Sequence, residues 1–251
     1  MTGGFLLVTD LDHTLVGDDV ALARLNEILQ KHRQDFGTKI VYNTGRSYQL
    51  YQQLAPQWNL LEPDALIVAV GTEIYYPGRV LDGFWPHHLA HNWHRDQICQ
   101  IADQFPELIS QPASEQNSFK ISFFLKADAA PSVVSQLKSQ FILQNLEAKI
   151  IYSSDQDLDI LPQRADKGQA MQFLRKQWSI SPQNTVVCGD SGNDIGLFSV
   201  GKERGIIVGN ARPELRQWYE KNGKTYHYCA EKYYAAGILE GLQYFRFLVK
   251  L

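Results

Sequence analysis

Two aspartates, Asp10 and Asp12, stand two positions apart directly after the apolar run Phe5-Leu6-Leu7-Val8. Four apolar or β-branched residues in succession predict a short strand buried on both faces. At a strand end that starts to turn, both carboxylates can point into one pocket at the carboxyl edge of a parallel sheet, where open α/β folds bind ligands. Such a pair is costly to bury unless a cation or a reaction uses it. The plainer alternative is a turn cap, because aspartate commonly starts turns and helices. Other stretches of the chain decide between the two.

A second strand end repeats the pattern. Thr185-Val186-Val187-Cys188 predicts a buried strand that runs into Gly189-Asp190-Ser191-Gly192-Asn193-Asp194. Carboxylates from two strands can hold a hard cation, and Mg²⁺ suits few carboxylates with water and a phosphate oxygen completing an octahedron. Residues 39–42 predict another strand, ending at Asn43-Thr44-Gly45-Arg46-Ser47. Gly45 would let the backbone approach a ligand closely, Thr44 offers a hydroxyl, and the following helix presents free N–H groups, a setting that suits phosphate. Taken alone, these residues read better as an ordinary strand-to-helix turn with Ser47 as N-cap. Lys167 opens a further helix, where a cation opposes the dipole. It therefore either points to solvent or compensates concentrated negative charge. Collected at one sheet edge, these groups could support phosphoryl transfer. One carboxylate attacks phosphorus to give an aspartyl phosphate, and a second protonates the leaving oxygen and later deprotonates water.

The elements that would position these groups alternate between strand and helix. Residues 21–33 place Leu22, Leu25, Ile28 and Leu29 at helical spacing, and residues 65–70 predict a third buried strand before Gly71-Thr72-Glu73-Ile74-Tyr75. This is the pattern of an α/β fold with a doubly wound, mostly parallel sheet. Pro77-Gly78 and Asp82-Gly83 then punctuate the chain, and from residue 84 to about 152 it becomes more aromatic and polar. One helix is expected from 84 to 105, with His87, His91 and His94 on one face. No carboxylate or cysteine follows these histidines at metal-ligand spacing. Strands at 120–125, 149–152 and 158–161 and a helix at 132–143 complete an α+β insertion. The expected division is a core of residues 1–82 and 163–251 with a cap of residues 83–162. A last strand at 205–208 and helices at 213–220 and 235–248 close the core, with Phe245 and Leu248 as core candidates.

With 44% hydrophobic and 20% charged residues and a net charge of −3, the 251-residue chain is globular and lacks the basic surface that nucleic acid or an anionic membrane requires. No apolar run approaches a membrane span and no leader-like segment opens the chain, so a soluble cytoplasmic monomer is expected. Cys99, Cys188 and Cys229 are odd in number and far apart, which predicts reduced, mostly buried thiols.

The motif Asp10-Leu11-Asp12-His13-Thr14, Thr44, Lys167 and the 189–194 stretch together resemble the four motifs of the haloacid dehalogenase superfamily of phosphohydrolases. The resemblance implies Asp10 as nucleophile and Asp12 as general acid/base, with Thr44 and Lys167 completing the catalytic set. It implies Mg²⁺ held by the Asp10 carboxylate, the Asp12 carbonyl and Asp190, with Asp194 supporting, and phosphate contacts from Thr44, Gly45, Arg46, Lys167 and Asn193. The insertion matches the position of the superfamily's larger α/β cap.

Longer stretches, at 43–51, 70–76, 92–108, 111–122, 157–170 and 189–198, resemble the sucrose-phosphate phosphatase family. This resemblance implies hydrolysis of sucrose 6-phosphate and makes a sucrose-phosphate synthase a candidate partner. Caps for trehalose phosphate or mannosylglycerate phosphate differ little in gross pattern, so those sugars remain alternatives. A non-catalytic sugar-phosphate-binding module would be expected to have lost Asp10 or Asp12. For the sugar, Glu73 and Lys120 are the first candidates, followed by Tyr75, Gln116, Asn117 and Asp157, with Phe119 or Trp93 as an apolar platform.

Overall fold

The computed structural model describes residues 3–249. Its centre is the apolar run after Gly4: Leu6–Thr9 (β1) is buried along its whole length. Helix α1 (Asp19–Phe36) starts where the Asp18 carboxylate accepts the N–H groups of Val20 and Ala21, and stops at Gly37, whose φ of 72° is left-handed. Its inward face carries Leu22, Leu25 and Leu29. Strand β2 (Lys39–Asn43) leads to α2 (Tyr48–Gln57), which the Ser47 side chain caps. Strand β3 (Ala65–Val68) ends two residues before the sequence pattern does. Ala69 and Val70 take left-handed φ values of 50° and 58°, and Gly71 follows at 90°. This sharp turn sends β4 (Glu73–Tyr76) and β5 (Val80–Leu81) back as an antiparallel hairpin on the sheet edge.

The insertion differs from the expected single helix at 84–105. It contains a short helix, α3 (Trp85–Leu89), and a second, α4 (Arg95–Ala102), because the chain breaks between them with Asn92 left-handed at φ 53°. The break serves two cores. Trp85 and Leu89 pack with Ala170 and Met171 on the large sheet, whereas Ile98 and Ile101 pack with Ile121, Leu137 and Ile160 under the small one. With the helix broken, His87, His91 and His94 are exposed. Among the described residues they form no metal-ligand group. Strand β6 (Ile109–Ser110), β7 (Ile121–Phe124), helix α5 (Ala130–Leu143), β8 (Ala148–Ser153) and β9 (Asp157–Pro162) follow. The four strands form an antiparallel sheet in the order β6-β7-β9-β8.

The chain then returns through α6 (Lys167–Gln177), β10 (Thr185–Gly189), α7 (Ile195–Ser199), β11 (Arg204–Ile207), α8 (Pro213–Asn222), β12 (His227–Cys229) and α9 (Tyr234–Tyr244). Of the two core candidates after α9, Leu248 is buried and Phe245 only partly so. Of the three free thiols only Cys188 is buried; Cys99 is half-buried and Cys229 exposed, contrary to the mostly buried set expected.

The large sheet runs β12-β11-β10-β1-β2-β3-β4-β5, parallel from β12 to β3. From β1 the chain first builds outward through β2 and β3, and later on the other side through β10, β11 and β12. The strand order therefore reverses at β1/β10, which opens a crevice at their carboxyl ends. The β1–β10 register pairs Thr9 with Cys188, so Asp10 and Asp190 leave the sheet side by side.

Candidate active site

At that crevice the floor is built from buried charges. The Lys167 ammonium lies 2.6 Å from Asp10 Oδ1 and 2.8 Å from Asp194 Oδ1, and its side chain is 0% exposed. Of the two readings open for a lysine at this helix start, compensation of negative charge is the one observed. The helix tolerates it because Asp166 is the N-cap, its carboxylate accepting the Gln169 N–H at 2.7 Å, and because the ammonium lies against two acceptors. Asn43 Nδ2 donates to the Lys167 carbonyl at 2.9 Å, tying the helix start to the end of β2.

Asp194 uses its other oxygen to accept the N–H groups of Asp190 and Ser191, at 2.9 and 3.1 Å. Gly189 is required here, because a Cβ at that position would stand 2.5 Å from the Asp194 carboxyl carbon. Asp190 in turn accepts the Thr14 hydroxyl at 3.0 Å. Carboxylate oxygens of Asp10, Asp190 and Asp194 all lie within 4.8 Å of one another. Burial, together with the neighbouring carboxylates, pushes Asp10 up to about 7 and Asp190 up to about 8, despite Lys167. Burial alone would depress Lys167, but Asp10 and Asp194 outweigh it and hold the ammonium above the usual lysine range. Three carboxylates sharing one ammonium leave a deficit of positive charge, and oxygen donors this close suit a hard divalent cation.

Asp12 stands apart from this group. Its carboxylate makes a two-pronged pair with Arg46, at 2.7 Å to both Nε and Nη2. The expected metal role of Asp12 therefore rests on its backbone carbonyl alone. Thr44 is fully buried, its hydroxyl accepting the Arg46 N–H at 3.1 Å, which shapes the turn that presents Gly45 and Arg46. Gly45 faces Asn193: a Cβ there would meet Asn193 Nδ2 at 3.4 Å.

Above the floor lies a cavity of about 490 Å³, with residues of the antiparallel sheet on its far side. Asp10, Asp12, Gly45, Arg46, Asp190 and Asn193 line its lower part, and Lys120, Asp157 and Asp159 its upper wall.

A family model for sucrose-6F-phosphate phosphohydrolases matches residues 4–246. The chain belongs to that family. A solved sucrose-phosphatase from Synechocystis, in complex with sucrose and phosphate, superposes with a TM-score of 0.92 at 44% identity, over 97% of this chain and 98% of that one. Sucrose-phosphatase 2 of Nicotiana tabacum is 39% identical over 94% of this chain, which spans 58% of the tobacco protein's length. A mannosylfructose-phosphate phosphatase from Agrobacterium fabrum is 34% identical over 95% of this chain and 96% of its own. Haloacid dehalogenase-like hydrolases at 16% identity share the fold, as a Bacillus subtilis protein does with a TM-score of 0.69.

The residues first expected to meet the sugar divide under this geometry. Lys120 is 3% exposed and lies 3.4 Å from Asp159 on the cavity wall. Glu73 and Tyr75 lie elsewhere: the Tyr75 hydroxyl donates to the Glu73 carboxylate at 3.0 Å, beside a neighbouring cavity of about 440 Å³. Glu73 pairs with Val68 at the end of β3, and there it lines the neighbouring cavity instead. Gln116 and Asn117 are consumed by the fold. Gln116 holds both backbone groups of Ser122, and Asn117 donates to Thr72 and accepts from Phe119 N–H. Trp93 donates to the Ser118 carbonyl and Phe119 packs against the large sheet's core, so Leu50 and Val70 supply the cavity's apolar lining instead. Gln111, Glu115 and Asp159 also line the cavity, beyond the residues the sequence points to. Asp159 had a signal: Asp157-Leu158-Asp159 alternates along a strand, which puts both carboxylates on one face.

Proposed function

We propose that this chain is a Mg²⁺-dependent phosphatase that hydrolyses sucrose 6-phosphate to sucrose and phosphate. The observation that carries the reading is the buried floor, in which Asp10 lies at the base of a sugar-sized cavity beside Asp190, Asp194 and Lys167. The matched Synechocystis protein holds sucrose and phosphate, which supports the sugar.

Asp10 and Asp190, with the Asp12 carbonyl, would hold Mg²⁺, and Asp194 braces the loop. The donor set fits, being all oxygen, buried and short of positive charge. When bound, the cation neutralises phosphoryl oxygens and the Asp10 carboxylate. Asp10 attacks phosphorus, the bond from phosphorus to the sugar oxygen breaks, and Asp12 delivers a proton to that oxygen. Water, losing a proton to Asp12, then attacks the aspartyl phosphate and frees Asp10. Arg46 holds the Asp12 carboxylate in place between these two transfers. Lys167 fixes the attacking carboxylate and offsets the charge that gathers on the phosphoryl oxygens.

The division of labour we propose is that residues 1–82 and 163–251 carry this chemistry and residues 83–162 read the sugar. On the cap wall the Lys120 ammonium, the Gln111 amide and the carboxylates of Asp157 and Asp159 offer donors and acceptors for hydroxyl groups. We place the enzyme in the cytoplasm as a monomer, open to a sucrose-phosphate synthase as partner. Among the described residues no helix is long and apolar enough to cross a membrane.

The Agrobacterium relative favours a second reading, mannosylfructose phosphate as substrate. Phosphate release from sucrose, mannosylfructose, trehalose, glucose and fructose phosphates, each with Mg²⁺ and with chelator, separates the two. We expect the largest kcat/KM for sucrose 6-phosphate and loss of turnover with chelator. A larger value for another sugar would move the substrate assignment, and turnover untouched by chelator would remove the cation.

A further inference from the structure

The cavity is unusually acidic for a place that must receive a phosphate monoester. Asp10, Asp12, Glu115, Asp157, Asp159 and Asp190 all line it. Three lining cations oppose them, and two are already committed: Arg46 to Asp12 and Lys120 to Asp159. The third is Arg212, whose guanidinium has no carboxylate partner and no hydrogen bond among the described residues. Lys167, in the floor, is already paired with Asp10 and Asp194.

Arg212 is also held in place by its main chain. Its N–H donates to the Asp190 carbonyl at 2.7 Å, which fixes it beside the carboxylate loop, at the start of α8. Two residues earlier, Asn210 Nδ2 donates to the His13 carbonyl at 2.6 Å, while its Oδ1 accepts the Tyr234 N–H at 3.0 Å. His13 itself sits at φ 59°, a left-handed backbone that a side chain resists and that neighbouring contacts must hold. His13 and Arg212 thus form one stitched rim on the cavity, adjoining Asp10 and Asp190.

We infer that Arg212 is a substrate-positioning residue, the cation at the rim that receives the phosphate group and seats it over Asp10. The inference rests on the phosphatase reading for its substrate, and on charge and geometry for its anion. A residue of this kind acts in binding and leaves the chemical step alone. Arg212→Gln should raise KM for sucrose 6-phosphate about tenfold, worth 1.4 kcal/mol, and leave kcat within about twofold. Calorimetric titration of the full chain with inorganic phosphate and Mg²⁺ should show phosphate affinity weakened by a similar factor. Arg212→Lys should recover most of both, because a point charge at the same place retains the attraction. Unchanged KM and phosphate affinity in Arg212→Gln would overturn the assignment, as would a loss of kcat at constant KM. If the wild-type chain fails to turn over sucrose 6-phosphate, the phosphatase reading falls. The phosphate titration still decides the rim: an unaltered affinity in the variant overturns it, and a weakened one supports it.

Discussion

The floor and the upper wall of the cavity are both made of buried charge, yet they are balanced differently. On the floor, three carboxylates share one lysine, and burial has pushed Asp10 and Asp190 far above the ordinary carboxylate range. On the wall, Lys120 is matched by Asp159, the Ser122 hydroxyl donates to the same carboxylate at 2.5 Å, and Gln111 donates to Asp157 at 2.9 Å. A set that lacks positive charge waits for a cation and an electrophile. A set that is satisfied within itself presents a fixed pattern of donors and acceptors. The first arrangement suits reaction and the second recognition.

Breaking the floor should therefore cost rate, and breaking the wall should cost affinity. The largest effect is expected for Asp10→Asn, an amide that is a poor nucleophile and a poor ligand. Its turnover should fall by at least about 10³-fold, read as kcat at saturating Mg²⁺. Lys167→Ala should lower kcat by about 10²-fold to 10³-fold, the scale of removing one preorganised electrostatic donor. An unchanged kcat would make the floor lysine structural. Lys120→Met should act mainly on KM, and should also destabilise the fold by about 3 kcal/mol, since Asp159 is left buried without its partner. Adding Asp159→Asn should restore part of the stability without restoring KM, which separates folding from recognition.

The charge deficit of the floor also sets a pH dependence. Asp10 and Asp190 titrate at about 7 and about 8 in the fold, against 3.8 when solvated, so between those values the folded state binds more protons than the unfolded one. Metal-free protein should lose stability as pH rises from 3.8 towards about 8, and be penalised fully above that. Mg²⁺ should reverse the loss, raising Tm more at the alkaline end than at the acid end. Tm of metal-free protein that climbs over this window would contradict the reading of the floor. The smallest effect is expected for Glu73→Ala, because Glu73 faces Tyr75 beside a different cavity; kcat/KM should change by less than about twofold.

The same contrast explains what the sequence made legible. The floor is assembled from strand ends, and a strand end is marked locally: an apolar run stops, and Asp, Thr or Gly follows. Asp10, Thr44 and Asp190 could all be read that way, and parallel registration brings them to one edge. Lys167 was legible only as a choice between solvent and compensation, because the two carboxylates it meets lie 157 and 27 residues away in the chain. The wall depends on the pairing of β7 with β9, in which Ser122 faces Asp159, and no local signal sets that register. Glu73 reads as a sugar ligand because a carboxylate is a planar acceptor for hydroxyl groups. The left-handed turn at Ala69 and Val70, conformations rare for residues with side chains, starts the hairpin that pairs Glu73 with Val68, where Tyr75 takes its carboxylate beside the neighbouring cavity. The helix expected at 84–105 failed for a related reason, since its apolar residues serve two separate cores.

The central claim is that Asp10 carries the phosphoryl group. It is tested most directly by rapid quenching of the enzyme during turnover of sucrose 6-phosphate with Mg²⁺, followed by peptide mass mapping in acid. A phosphate mass is expected on the peptide that contains Asp10, present in the wild type and absent in Asp10→Asn. Sustained turnover with phosphate found on another residue, or on none, would contradict it.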